Sequence, residues 1–224
     1  MSVKGNLENI QKKVNEACER VNRSPDEITI IAVTKYVTIE RTEEAIAAGL
    51  INVGENRTDE MLRKYEQIND KANWHFVGTL QSRKVREVVN KVAAIHSLDR
   101  VSVAKQINSR SEKTLDCFIQ VNVSGEASKH GLSPEEVIPF IKQLEPYEKV
   151  RVVGLMTMAP HVEDEEVLRN NFRKLATLRD EVKREKLSYA PCEYLSMGMS
   201  NDFEIAIEEG ATHIRIGSDL VGTQ

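Results

Sequence analysis

A lysine at the end of a long apolar run is the residue of this chain best suited to covalent chemistry. Lys35 follows Ile28-Thr-Ile-Ile-Ala-Val-Thr34, so its stem starts from a segment with the character of a buried strand. Burial away from an anion favours the neutral amine, the form that condenses with an aldehyde to a Schiff base. The same position also suits a lysine that snorkels from a strand mouth and pairs with Glu55 or Asp99. A second constellation lies near the C-terminus. Ser196-Met-Gly-Met-Ser200-Asn-Asp-Phe-Glu is a loop of small residues opening a helix, with Ser200 or Asn201 as its cap. Helix N-termini offer unpaired N–H groups and the positive end of a dipole, which together bind phosphate. Gly217 lets the backbone approach a ligand and Ser218 adds a hydroxyl; two capped turns without a ligand would use the same residues. Arg215 stands two residues before Gly217, on the same strand face. Guanidinium has no acceptor, so a pyridine nitrogen facing Arg215 is held unprotonated; an ion pair with Glu55 or Glu193 is the other reading.

The elements that must bring these residues together follow one alternation. Apolar, β-branched runs occupy residues 28–36, 51–56, 74–80, 93–98, 117–123, 150–158, 193–197 and 213–221. They read as continuous rather than alternating, which suits strands of a parallel sheet covered on both faces. Between them lie helical segments: residues 40–49 ending in Gly49, residues 57–69, residues 81–90, and a start at Ser133-Pro134-Glu135-Glu136. Leu168, Phe172, Leu175, Leu178 and Val182 form one helical stripe, and Leu7, Ile10, Val14, Cys18 and Val21 form another before the first strand. No G-x-G-x-x-G follows the first strand, which weighs against an open dinucleotide-binding sheet. Eight strand–helix units fill the 224 residues. The expected fold is therefore α/β: a single (β/α)8 barrel over residues 1–224 with an extra N-terminal helix.

A barrel carries its site at the C-terminal strand ends. Lys35 then faces the loops after strands seven and eight across a closed mouth, and a phosphorylated aldehyde would bridge them. Pyridoxal phosphate has both ends.

Composition removes other classes. Thirty-one Lys+Arg against 35 Asp+Glu give a net charge of −4, which argues against nucleic acid or an anionic membrane surface as partner. No apolar stretch is long enough for a membrane span, and the polar first ten residues lack a signal-peptide core, so a cytoplasmic location is expected. Cys18, Cys117 and Cys192 form neither a disulfide framework nor a metal knuckle. His75, His96, His130, His161 and His213 show no metal-ligand spacing, and no metal is expected.

The segments Ala32-Val-Thr-Lys-Tyr36, Gly54-Glu-Asn-Arg57, Trp74-His-Phe-Val-Gly78 with Leu80-Gln-Ser82, Gly154-Leu-Met-Thr157, Leu195-Ser-Met-Gly-Met-Ser200 and Arg215-Ile-Gly217 resemble the pyridoxal phosphate homeostasis protein family, small proteins similar to the N-terminal barrel of alanine racemase. The resemblance runs in order over essentially the whole chain. It implies an alanine racemase N-terminal domain-like barrel with the cofactor as an internal aldimine on Lys35. The family's phosphate site maps onto Ser200 and the Gly217-Ser218 backbone, within the loop that starts at Ser196, and Arg215 would approach the pyridine nitrogen. Asn56, His75 and Met156 occupy motif positions expected to line the pocket. Such proteins carry or buffer the cofactor and contribute to amino-acid balance without robust catalysis, with pyridoxal phosphate-dependent apo-enzymes as candidate recipients. A monomer or weak dimer is expected.

The alternative is a pyridoxal phosphate-dependent amino-acid racemase, which needs a base on each face of the α-carbon. Lys35 serves one face. The barrel racemases supply the other from a second domain, for which this sequence has no length to spare, leaving Tyr36 or His75 as substitutes. The sequence departs from the family pattern at Val53, Thr79 and Arg83, none of which touches the imine or phosphate positions.

Overall fold

Eight short apolar strands, each flanked by helices, leave two surfaces to bury, and the chain does so by closing on itself. The computed structural model describes residues 2–222. Its strands are β1 (Thr29–Val33), β2 (Asn52–Glu55), β3 (Asn73–Phe76), β4 (Ala94–Leu98), β5 (Leu115–Gln120), β6 (Val150–Met156), β7 (Tyr194–Ser196) and β8 (His213–Ile216). They form a closed barrel in chain order. β8 returns to pair in parallel with β1, setting Ile31 beside Arg215 and Ala32 beside Ile216, so the Lys35 segment adjoins the loop after β8 and does not face it across the mouth as expected. This is the (β/α)8 barrel that the alternation predicts.

The outer core lies between strands and helices. The helix Glu165–Arg184 buries Leu168, Phe172, Leu175, Leu178 and Val182, the predicted stripe. The extra N-terminal helix Val3–Arg20 starts at Ser2, whose hydroxyl accepts the Gly5 N–H, and buries Val3, Ile10, Val14, Ala17 and Cys18. Ser133 and Glu136 close a capping box ahead of the helix Pro134–Gln143. All three cysteines are free and buried. Among the described residues no helix is long and apolar enough to cross a membrane.

The barrel interior is a separate compartment, and it is not wholly apolar. Ala94, Phe118, Val153 and Met156 form a small cluster of their own. His96 stacks on Phe118 with ring centroids 4.2 Å apart and planes 12° from parallel, while His213 meets Phe118 edge-on at 5.2 Å. Gly154 leaves the space that Phe118 fills: a Cβ there would strike the Phe118 ring and the Tyr194 carbonyl.

Most of the apolar runs end as strands earlier than their composition suggests. β1 stops at Val33, β3 at Phe76, β5 at Gln120, β6 at Met156 and β8 at Ile216, after which Ser218–Val221 is a helical turn. Leu220 and Val221 both donate their N–H groups to the Gly217 carbonyl. The apolar character continues because Val37, Leu80, Leu220 and Val221 are buried beneath the mouth loops. Burial and ladder pairing are different constraints, and hydrophobicity reports only the first.

Candidate functional site

The loops after the strands enclose a cavity of about 520 Å³. Lys35 follows β1, Asn56 follows β2, Val77–Thr79 follow β3, Gln120 ends β5, residues 158–161 follow β6, residues 199–202 follow β7, and Gly217 and Ser218 follow β8. Arg215 enters from within β8. Of the residues expected from sequence, Lys35, Asn56, Ser200, Arg215, Gly217 and Ser218 line this one cavity.

Lys35 is placed by its neighbour. Thr34 is buried and donates its N–H to the Gly54 carbonyl and its hydroxyl to Glu55 Oε1 at 2.6 Å. Its own carbonyl accepts from Lys64 Nζ and from the Val37 N–H. The chain thus turns sharply after β1, with Tyr36 at φ 68°. Lys64 and Glu55 are both fully buried, 2.7 Å apart, and anchor that turn from below. Both carboxylates that the sequence offered to Lys35 are therefore taken, Glu55 by Lys64 and Asp99 by Arg100 at 2.7 Å. Among the described residues no carboxylate pairs with Lys35, which is exposed at the mouth and not buried as its apolar run suggested, and its Nζ lies 5.6 Å from the centroid of the Tyr36 ring.

The loop after β7 is shaped by Gly198 at φ 94°, where a Cβ would meet Ala206 and Phe203. Asp202 Oδ1 accepts the Met199 N–H at 2.6 Å and folds residues 199–202 over. The helix that follows is Phe203–Glu208 with Asp202 as its cap, which corrects the expectation of Ser200 or Asn201. Those two residues form the turn ahead of it instead, because the Asp202 carboxylate is committed to Met199. Burial pushes the Asp202 carboxyl up, opposed by the Met199 N–H and by the charges of Arg215 and His161.

Arg215 is buried and donates from Nη1 to Ser196 Oγ at 2.7 Å and from Nη2 to the Thr157 carbonyl at 2.9 Å. Neither expected ion pair forms, since Glu55 belongs to Lys64 and Glu193 to Lys183. Burial lowers its pKa to about 10, with Asp202 acting the other way. Below it, Ser196 Oγ stands 2.8 Å from His96 Nδ1, His96 Nε2 stands 2.9 Å from His75 Nδ1, and His75 Nε2 stands 3.2 Å from Asn52 Oδ1. Burial holds His75 down to about 4, His213 to about 3, and His96 well below the ordinary imidazole value.

Three expected lining residues are therefore placed elsewhere. His75, Met156 and Ser196 do not line the cavity. His75 lies within β3, and Met156 and Ser196 are the last residues of β6 and β7. His75 turns into the barrel toward His96, Met156 joins the Phe118 cluster, and Ser196 sits under Arg215. Motif membership placed them near the site but could not separate the cavity wall from the layer supporting it. Sequence reasoning missed Gln120, His161 and Asp202 as lining residues. Gln120 ends β5, while His161 and Asp202 belong to the loops after β6 and β7, so the positional rule for barrels was the signal available.

Comparison with known proteins accords with this geometry. Residues 5–224 match the family described as alanine racemase, N-terminal domain. A curated relative, the pyridoxal phosphate homeostasis protein of Aquifex aeolicus, is 43% identical over 220 residues, 96% of each chain. A solved structure of an unknown protein from Bifidobacterium adolescentis superposes with a TM-score of 0.92 at 30% identity, covering 97% of this chain and 94% of that one. PipY of Synechococcus elongatus, solved with pyridoxal phosphate bound, superposes with a TM-score of 0.81 at 30% identity, covering 93% and 100%.

Proposed function

The chain belongs to the alanine racemase N-terminal domain family, among its pyridoxal phosphate homeostasis proteins, and from that premise we propose that it binds pyridoxal phosphate and carries or buffers it as a lysine aldimine on Lys35. In this reading one barrel domain over residues 1–224 acts in the cytoplasm, contributes to amino-acid balance, and releases its cofactor to apo-enzymes without robust turnover of its own.

The observation that carries the proposal is a single cavity holding an amine that no described carboxylate neutralises, a buried guanidinium, and two small-residue loops. Its volume of about 520 Å³ falls in the range of small-molecule sites. Lys35 supplies the amine for the aldehyde, while Ser200 with the Gly217 and Ser218 backbone supplies donors for the phosphate. Asn56 adds a polar side chain to the wall. When bound, pyridoxal phosphate supplies a reactive aldehyde and a ring whose strength as an electron sink depends on protonation of its nitrogen. Arg215 can only donate, so a ring nitrogen held against it would stay unprotonated. A weak electron sink suits storage better than carbanion chemistry. His75, considered as a second base, is bonded to His96 inside the barrel, away from the cavity wall.

The test is reconstitution followed by two assays. Protein mixed with pyridoxal phosphate should bind one equivalent, acquire a visible absorbance band, and reactivate an added apo-enzyme. In deuterated water the loaded protein should leave the α-protons of L-amino acids in place. Rapid exchange with chiral inversion would replace the carrier reading with a racemase.

A further inference from the structure

The bonds beneath Arg215 run unbroken from cavity to far rim, and chemistry fixes the proton direction at both ends. At the upper end Arg215 can only donate, so Ser196 Oγ accepts from Nη1. At the lower end Asn52 Oδ1 accepts from Asn73 Nδ2 at 3.3 Å and can only accept from His75 Nε2 as well. His75 then carries its proton on Nε2, and in a neutral ring Nδ1 is an acceptor. His96 must therefore donate from Nε2 to His75, which leaves His96 Nδ1 to accept the Ser196 hydroxyl proton. Each bond satisfies the next, and reversing any one of them leaves a buried hydroxyl or ring nitrogen without a partner.

From this we infer that His96 is a positioning residue: by accepting the Ser196 hydroxyl proton it turns the Ser196 lone pairs toward Arg215 and holds the guanidinium in place as a pure donor to an unprotonated aromatic ring nitrogen in the cavity. The inference rests on the reading that pyridoxal phosphate occupies that cavity. His96 is well suited to the task because it cannot turn. Its ring is stacked on Phe118 at 4.2 Å and flanked edge-on by His75 at 5.2 Å and His213 at 6.2 Å. The second guanidinium anchor is the Thr157 carbonyl, itself fixed where Thr157 donates its hydroxyl to the Val121 carbonyl at 2.8 Å. The relay therefore decides one of the two bonds that hold Arg215 to the barrel.

Two measurements separate this claim from the functional reading beneath it. Nitrogen-15 NMR of the histidine rings in cofactor-free protein at pH 7 should show His75 and His96 both neutral and both protonated on Nε2. Either ring protonated on Nδ1, or both nitrogens protonated, overturns the relay whether or not a cofactor binds. The second measurement compares His96→Phe, which keeps the stack on Phe118 and removes both ring nitrogens, with His96→Asn, which keeps an acceptor for Ser196. Where Ser196 no longer presents its lone pairs to Arg215, the bond that anchors the charged guanidinium is lost, which predicts about tenfold weaker pyridoxal phosphate binding for His96→Phe. The ring-nitrogen resonance of labelled cofactor should also shift in His96→Phe, whereas His96→Asn restores most of the affinity and the wild-type resonance. Should His96→Phe not fold, Ser196→Ala breaks the same link and carries the same prediction. Unchanged affinity and an unchanged resonance in these variants overturn the proposal. A wild-type protein that takes up no pyridoxal phosphate fails the functional reading and the Arg215 role with it, while the histidine protons still show whether the relay exists.

Discussion

Lowering the pH from 7 to about 5.5 should weaken the fold by on the order of 4 kcal/mol, and the reason lies in the barrel interior. His75 and His96 are buried there and His213 is half-buried, and the lost hydration holds their pKa values to about 4, well below ordinary, and about 3, so that all three are neutral. In the unfolded chain each titrates near the ordinary value of about 6.5. Between about pH 6.5 and 4 the unfolded chain therefore binds up to three more protons on these rings than the native state does. Stability must fall as pH falls through that window, by about 1.4 kcal/mol per pH unit for each imidazole once the unfolded rings titrate. Only the upper part of the window lies between pH 7 and 5.5, which gives the total of about 4 kcal/mol. Asp202, raised by burial, acts in the opposite direction, but as one carboxyl against three rings. Domains of this kind hold roughly 5–15 kcal/mol in all, so the loss is large. Urea denaturation at pH 7, 6.3 and 5.5, fitted with a common slope, measures it. Equal stability at all three pH values would refute the neutral-histidine interior.

Other parts of the account can be tested separately. Lys64→Met strands Glu55 in the core and should cost about 3–5 kcal/mol, while adding Glu55→Leu should recover much of that, read as the difference in thermal unfolding. Equal losses in the single and double variants would show that the pair does not act as a unit. Gly154→Ala pushes a methyl group against the Phe118 ring and the Tyr194 carbonyl, and should lower stability by about 1–3 kcal/mol. A Tm within a degree of wild type would contradict the interior packing described here. Arg215→Met removes the donors to Ser196 and Thr157 and should weaken pyridoxal phosphate binding by about tenfold or more, measured by fluorescence titration.

The barrel was legible in the sequence because a parallel strand covered on both faces needs a continuous apolar run, and eight such runs separated by helical stripes leave few architectures. Lys35, Arg215 and Gly217 were legible because they lie within two residues of the C-terminal ends of strands, where a barrel places its ligands. The ion pairs were not. Glu55 lies next to the strand end and invited pairing with Lys35, yet its partner is Lys64, nine residues on and carried by the helix Thr58–Ile68. Which of two nearby lysines meets a carboxylate depends on the turn at Tyr36, and no sequence signal marks a non-glycine residue at positive φ. The interior relay was hidden for a related reason. His75, His96 and Ser196 lie on β3, β4 and β7, and only barrel closure brings them to one axis.

The central claim is that Lys35 is the covalent anchor of pyridoxal phosphate, and one experiment addresses it directly. Protein loaded with pyridoxal phosphate is reduced with borohydride, digested and analysed by mass spectrometry. The account predicts a single phosphopyridoxyl adduct on Lys35, absent from Lys35→Ala treated in the same way. A stoichiometric adduct on another lysine, or no adduct in protein that has bound the cofactor, would contradict it.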